Sequence, residues 1–300
     1  MSRVVCFGEL LLRLGAPARE LLLQTPQSQG HVGGAEANVA VSLACLGHDV
    51  QMVSTVPASA LGRHAVAELR RHGVGVAGVR EVEGHRMGLY FLATGAVQRA
   101  SEVVYDRAGS AFANSSAEDH AWPALLSGAH LLHVSGVSPA LGANVAESVL
   151  GAVRAARAAG VQVSFDGNYR PSLWQRWDGD AAPILRELFA ETDILFADHR
   201  DIELVLGVRF PQDDAVARTE AAAAAAFAAF PHLRWLACTQ REVISADHHV
   251  LGALLLGRDE TRAQAAPRPL PGIVDRIGGG DAFAAGVLHG LLSGLDAEST

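Results

Sequence analysis

The stretch Asp275-Arg276-Ile277-Gly278-Gly279-Gly280-Asp281-Ala282-Phe283 runs without a break into Ala284-Ala285-Gly286-Val287-Leu288. Three consecutive glycines let the backbone turn with positive φ and let a ligand approach the main chain without meeting a Cβ. The small and apolar residues that follow predict the opening of a buried helix. Glycines feeding a helix N-terminus offer free N–H groups and the positive end of a dipole, which together make an anion site. A carboxylate at the mouth of such a site is repelled by a bound phosphate, unless it is there to take a proton. Anion site plus adjacent base is the arrangement that phosphoryl transfer to an alcohol requires. By itself a glycine run is more often an ordinary loop than an active site, and the G-x-x-x-x-G-K-[ST] phosphate loop is missing.

Outward from this stretch, composition narrows the classes. The chain has 300 residues, is 49% hydrophobic and 19% charged, and carries a net charge of −8. It is therefore globular and long enough for one large α/β domain or two small ones. A net negative charge without a basic patch argues against nucleic acid as a partner. Cys6, Cys45 and Cys238 are scattered through apolar contexts, so buried thiols are expected and no metal cluster or disulfide framework. Thirteen histidines show no metal-ligand spacing. Met1–Glu9 lacks a long apolar core of the kind a signal peptide has, and no run reaches the ~18 apolar residues of a membrane span. A soluble cytoplasmic protein is expected, with no membrane partner.

Strand-like and helix-like runs alternate. Val4–Phe7, Val50–Thr55, Leu131–Val134, Val161–Asp166, Ile194–Ala197 and Leu233–Thr239 read as strands. Ala37–Leu46, Gly62–His72, Ala143–Ala159, Ala182–Glu191 and Thr219–Phe230 read as helices, the last stopping before Pro231. This alternation predicts βαβ units and a mostly parallel sheet covered on both faces. Leu10–Val32 and Met87–Tyr105 break the rhythm. They predict a small antiparallel sheet that projects as a lid over the strand C-termini, where open α/β sheets bind ligands. Its exposed edges suggest a dimer.

A second glycine pair opens Gly33-Gly34-Ala35-Glu36-Ala37-Asn38-Val39-Ala40. Asn38 can donate to and accept from a hydroxylated ligand; a cap or a core amide explains it equally well. The two motifs, in this order and at opposite ends of an α/β chain, resemble the PfkB (ribokinase-like) family of carbohydrate kinases from Val4 to about Gly294. Within it the chain is most similar to 2-keto-3-deoxygluconate kinases, through GGAEANVA at 33–40, Tyr90-Phe91-Leu92, Tyr105-Asp106-Arg107, Asn168-Tyr169-Arg170 and DRIGGGDAF at 275–283.

That resemblance implies a single ribokinase-like three-layer α/β sandwich over residues 1–300, with lid strands within 10–32 and 87–107. It implies Asp281 as the general base, with Gly278, Gly279 and Gly280 as the anion hole. Gly33, Gly34 and Asn38 would contact the sugar. Tyr90, Tyr105, Arg107 and Arg170 would surround its keto-acid end. A sugar acid needs a cation, best the planar fork of arginine, although surface salt bridges are the usual fate of such residues. The family often carries N-x-x-E where this chain has Asp198 and Asp201; these would hold Mg²⁺ indirectly, through water, and Asp198 equally suits a helix N-cap. Thr239 and Arg241, ending a strand, would lie with Asp198, Gly278 and Gly280 near the phosphates of ATP.

The implied reaction is ATP-dependent phosphorylation of the terminal hydroxyl of 2-keto-3-deoxygluconate. Family members usually continue some tens of residues beyond the catalytic helix, whereas this chain stops at Thr300. That leaves open a shortened, non-catalytic sugar-acid-binding protein; within the family, a ketose kinase such as a fructokinase is the other alternative. A dinucleotide oxidoreductase is disfavoured, because Phe7-Gly8-Glu9 breaks the G-x-G-x-x-G fingerprint.

Overall fold

The computed structural model describes residues 2–300. In chain order its elements are β1 (Arg3–Phe7), β2 (Leu11–Gly15), β3 (Gln29–Gly33), α1 (Ala35–Cys45), β4 (Asp49–Pro57), α2 (Ala60–Arg71), β5 (Gly75–Val82), β6 (Gly88–Ala93), β7 (Glu102–Asp106), α3 (Trp122–Leu125), β8 (Leu131–Ser135), α4 (Ala143–Ala158), β9 (Gln162–Asp166), α5 (Pro171–Trp174), α6 (Ala181–Ala190), β10 (Ile194–Phe196), α7 (His199–Leu206), α8 (Ala215–Ala229), β11 (Trp235–Ser245), β12 (His248–Gly257), β13 (Arg262–Pro271) and α9 (Gly279–Ser293).

The central sheet has the order β13-β12-β11-β10-β9-β8-β1-β4-β5. From β5 to β11 every pair is parallel. The helices between these strands return the chain across both faces, as right-handed crossovers require. One apolar layer gathers Val134, Val149, Val153, Leu188 and Phe189. The opposite layer gathers Val4, Leu43, Met52, Leu69 and Leu288. Strands buried on both sides cannot alternate polar with apolar residues, which is why β8 is buried throughout its length. Side-chain caps fix several helix starts: Ser59 accepts from Gly62 N–H, Asp180 from Ala182 and Asp214 from Ala217.

A separate four-stranded sheet, β3-β2-β6-β7, leads into Arg107, which pairs with Glu9 just beyond the carboxyl end of β1. Its outer pairs are antiparallel and its middle pair, β2 with β6, is parallel. Because lateral neighbours share a face, the register places His31, Arg13, Tyr90 and Tyr105 in one row across it.

Two readings of the sequence need correction. The strand expected to stop at Thr239 runs on to Ser245, because the apolar run at β12 returns against it, pairing Arg241 with Leu251. Thr239 and Arg241 therefore lie within a strand, and β12 and β13 extend the sheet antiparallel. Pro267 and Pro269 lie two apart on the outer strand β13, where a missing N–H costs no ladder bond. The other correction concerns Cys45, expected buried, which is exposed at the end of α1; Cys6 and Cys238 are buried. Among the described residues no helix is long and apolar enough to cross a membrane.

Candidate active site

The glycine run is a turn of one residue and the first two residues of a helix. Gly278 caps α9 with φ 83°, a conformation that disfavours any side chain, while Gly279 and Gly280 already belong to the helix. Ala282 N–H returns to the Gly278 carbonyl at 2.8 Å, and Gly279 N–H to Arg276 at 3.3 Å. The N–H groups of Gly280 and Asp281 have no acceptor among the described residues, so free donors face out of the helix start.

Asp281 lies in the first turn of that helix. Its Oδ2 accepts a 2.6 Å hydrogen bond from Asn38 Nδ2. The two glycine motifs, 243 positions apart, thus meet side chain to side chain. Asn38 reaches there because α1 begins directly after β3. The junction is Gly34, at φ 151°, where a Cβ would sit 2.1 Å from the Glu9 carbonyl oxygen. Burial raises the Asp281 carboxyl above its ordinary range, against the hydrogen bond from Asn38 and the charge of Arg170, which lower it. Three and four residues further on, Ala284 and Ala285 are buried against the core and fix the helix start.

Strand ends of the central sheet supply the remaining charges. Asp166 closes β9 and makes no side-chain hydrogen bond among the described residues. Burial first, and then the charges of Asp281 and Asp201, push it up to about 8, with Arg170 opposing. Asp201 is likewise raised, to about 6, by burial and by Asp198. The chain leaves β9 through Asn168, which adopts φ 37°, a left-handed conformation that asparagine tolerates. It then reaches the exposed Arg170 at the start of α5.

Asp198 and Asp201 form a capping box on α7: Asp198 accepts from Arg200 N–H at 2.8 Å, and Asp201 from Asp198 N–H at 3.0 Å. Asp198 also pairs with the Arg200 side chain. The N-cap expectation is therefore met, and three carboxylate oxygens, both of Asp198 and one of Asp201, are already engaged. Among the described residues no cluster forms a closed metal cage. Oxygen donors without a cage suit Mg²⁺, which keeps much of its water and travels with phosphates.

The lid carries the other candidates. Tyr90 and Tyr105 stand side by side with ring centroids 6.3 Å apart. Burial raises the Tyr90 hydroxyl, which lies in the field of Arg13, Asp275, Tyr105 and Asp281. Arg107 is buried, 4% exposed, and its Nε donates to Glu9 Oε2 at 2.6 Å. Ser110 Oγ donates to the other Glu9 oxygen at 2.5 Å. The terminal nitrogens of Arg107 have no partner among the described residues. The structure gives the two expected arginines different settings: Arg107 under the lid beside Glu9, and Arg170 in the field of Asp166, Asp201 and Asp281. Thr239 is exposed on β11. Partial burial and the guanidiniums of Arg276, Arg200 and Arg170 lower Arg241, so several cations converge at the end of β11.

Several participants escape motif reading. Glu9 and Glu36 are both 1% exposed. Glu36 Oε1 accepts from Ser135 Oγ at 2.7 Å, Ser138 Oγ at 2.9 Å and Ser135 N–H at 3.1 Å, locking α1 to the end of β8. Burial raises it to about 6 despite those bonds. A charged residue inside an apolar strand–helix pattern was the available signal for both. For Asp166 the signal was an acid at the carboxyl end of a buried strand.

The sequence profile of pfkB family carbohydrate kinases matches residues 1–300. A 2-dehydro-3-deoxygalactonokinase of Haloferax volcanii is 32% identical over 298 residues, covering 99% of this chain and 87% of that protein. The crystal structure of a 2-dehydro-3-deoxygluconokinase from Thermotoga maritima superposes with a TM-score of 0.91 at 35% identity, over 99% of this chain and 90% of that one. A PfkB family carbohydrate kinase from Listeria grayi gives 0.91 at 37% identity, over 99% and 89%. Matched over its whole length by that profile, this chain belongs to the PfkB family of carbohydrate kinases.

Proposed function

We propose that this kinase transfers the γ-phosphoryl group of ATP to the terminal hydroxyl of 2-keto-3-deoxygluconate, with Asp281 as general base. The observation that carries the reading is the Asn38–Asp281 hydrogen bond at the mouth of the glycine turn. It fixes one carboxylate oxygen and leaves the other for a substrate hydroxyl. A carboxyl raised by burial is better matched to accept a proton at neutral pH than an ordinary aspartate.

In the proposed step the 6-hydroxyl oxygen attacks the γ-phosphorus in line. Its proton passes to Asp281, the new O–P bond forms, and the bond to the bridging oxygen breaks to release ADP. The N–H groups of Gly280 and Asp281 stabilise charge on the phosphoryl oxygens, with Gly278 and Gly279 shaping the turn that presents them. Arg241, with Thr239 beside it on β11, faces the phosphates. Arg170, in the field of Asp281, stands where sugar and phosphates meet and is the second cation available to the acid. Arg107 holds the carboxylate with the nitrogens Glu9 leaves free, and Tyr90 and Tyr105 pack along the carbon chain, with Gly33 and Gly34 at its edge. Mg²⁺ entering with ATP would be held through water by Asp166, Asp198 and Asp201, and would neutralise phosphate charge. The lid excludes water from the reacting phosphate.

The relatives named for deoxy-keto sugar acids support an acid substrate. The test is a coupled ADP-release assay with 2-keto-3-deoxygluconate, its galactonate epimer, fructose and ribose at fixed ATP. The acids should lead by at least about 100-fold in kcat/KM, the scale set by one desolvated charge pair. Fructose turning over as well as the acids would overturn the acid assignment while keeping the kinase.

A further inference from the structure

Besides the Glu9–Arg107 pair and the bond from Arg176 Nη2 to the Tyr105 carbonyl at 2.8 Å, three contacts tie the lid to the body. Arg19 pairs with Asp247 at 3.0 Å, and Ala246 N–H donates to Val97 at 2.9 Å, both at the turn between β11 and β12. The third is different in kind. Arg13 Nη1 on β2 bonds Asp275 Oδ2 at 2.6 Å, and Asp275 Oδ1 accepts the N–H of Ile277 at 2.9 Å. Ile277 immediately precedes Gly278, whose φ of 83° sets the direction of α9. One carboxylate therefore holds the lid with one oxygen and the glycine turn with the other.

The location of Arg13 strengthens the case. It stands in the same lid row as Tyr90 and Tyr105, so the bond leaves the face that covers the substrate. Its side chain is only 15% exposed, against 42% for Asp275, and Arg13 has no second acidic partner. The loop carrying Asp275 is anchored once more, through Ile273 N–H to the Asp247 carbonyl at 2.9 Å. Asp247 is also the partner of Arg19. Opening the lid would strain both anchors of the loop that shapes the anion site.

Resting on the kinase reading above, we propose that Arg13 and Asp275 are positioning residues that make lid closure and assembly of the glycine turn one event. Free donors at Gly280 and Asp281 would then be correctly aimed only under a closed lid. ATP bound beneath an open lid would meet a misaligned turn and would not be wasted on water.

A double-mutant cycle tests this with Arg13→Ala, Asp275→Asn and the pair; asparagine keeps an oxygen for Ile277 N–H. Each single variant should lower kcat by about 10- to 100-fold, as small misplacements of reacting groups do, and Arg13→Lys should recover part of it. Once uncoupled, the turn can align while the lid is open, so ADP released should exceed sugar phosphorylated in the single variants. The double variant should be no worse than the worse single one. Losses that multiply, or ADP and sugar phosphate staying equal, would overturn the proposal. Hydrogen exchange gives a readout independent of activity: Arg13→Ala should speed exchange by about tenfold or more in both the lid strands and residues 275–281. Unchanged exchange in 275–281 would count against it. A wild-type protein inactive on every sugar would refute the kinase assignment instead, and the exchange result would still decide the coupling.

Discussion

Asp166→Asn should make the protein more stable and less active. Asp166 closes a central strand, and its carboxyl is moved from an ordinary 3.8 to about 8 by burial and by its neighbours Asp281 and Asp201. The folded state therefore binds this proton more tightly than the unfolded chain does. Below about pH 4 the group is protonated in both states and contributes no difference. Between about pH 4 and 8 the unfolded chain ionises first, so the wild type loses stability as pH rises, and above about pH 8 the loss is complete. At ~1.4 kcal/mol per pH unit the upper bound is about 6 kcal/mol. Solvent contact at the carboxyl and relaxation of its surroundings reduce this to about 2–3 kcal/mol. Asparagine keeps the shape and removes the charge. Urea unfolding at pH 4, 6 and 8.5 should show a stabilisation near zero, then intermediate, then about 2–3 kcal/mol. Phosphorylation should fall at the same time, because a carboxylate that would help hold Mg²⁺ is gone. A variant no more stable than wild type at pH 8.5 would refute the electrostatic picture of the site.

Two further outcomes follow from the same geometry. Arg107→Ala strands the Glu9 carboxylate in the core and should destabilise the fold by about 3–5 kcal/mol in urea unfolding; Arg107→Lys keeps the charge but not the fork, and should lower kcat/KM for the sugar acid by about 10-fold or more while sparing fructose. Equal losses on both sugars would show that Arg107 does not read the carboxylate. Binding of Mg²⁺–ATP at pH 7 should release protons, since burial and the neighbouring carboxylates hold Asp166 partly protonated and a cation favours its ionised form; calorimetry in buffers of different ionisation enthalpy measures this, and release should fade at alkaline pH. Proton uptake at pH 7 would contradict it.

The sheet was readable in the sequence because strands buried on both faces must be apolar runs, as at β1, β8 and β9. The glycine motifs were readable because positive φ at Gly278 and close approach at Gly34 admit little else. The β11–β13 hairpin was not. Arg262–Pro271 is mostly exposed and holds three prolines, so neither alternation nor propensity marks it as a strand; only its pairing with β12 makes it one. The ion pairs were also hidden. Glu9 meets Arg107 across 98 positions and Arg13 meets Asp275 across 262, and no local pattern encodes such distances. Likewise Asn38 was legible as a polar residue in the first turn of a helix, but its bond to Asp281 emerges only when the two glycine motifs meet.

The most direct test is product identification by ³¹P NMR after incubating the protein with ATP, Mg²⁺ and 2-keto-3-deoxygluconate, alongside Asp281→Asn. The wild type should form one phosphomonoester, on the terminal hydroxyl, in step with ADP. Asp281→Asn should form it about 10²- to 10⁴-fold more slowly with little change in sugar affinity. A phosphate on another hydroxyl, no sugar phosphate at all, or a near-normal rate in the variant would contradict the assignment of Asp281 as the base of a sugar-acid kinase.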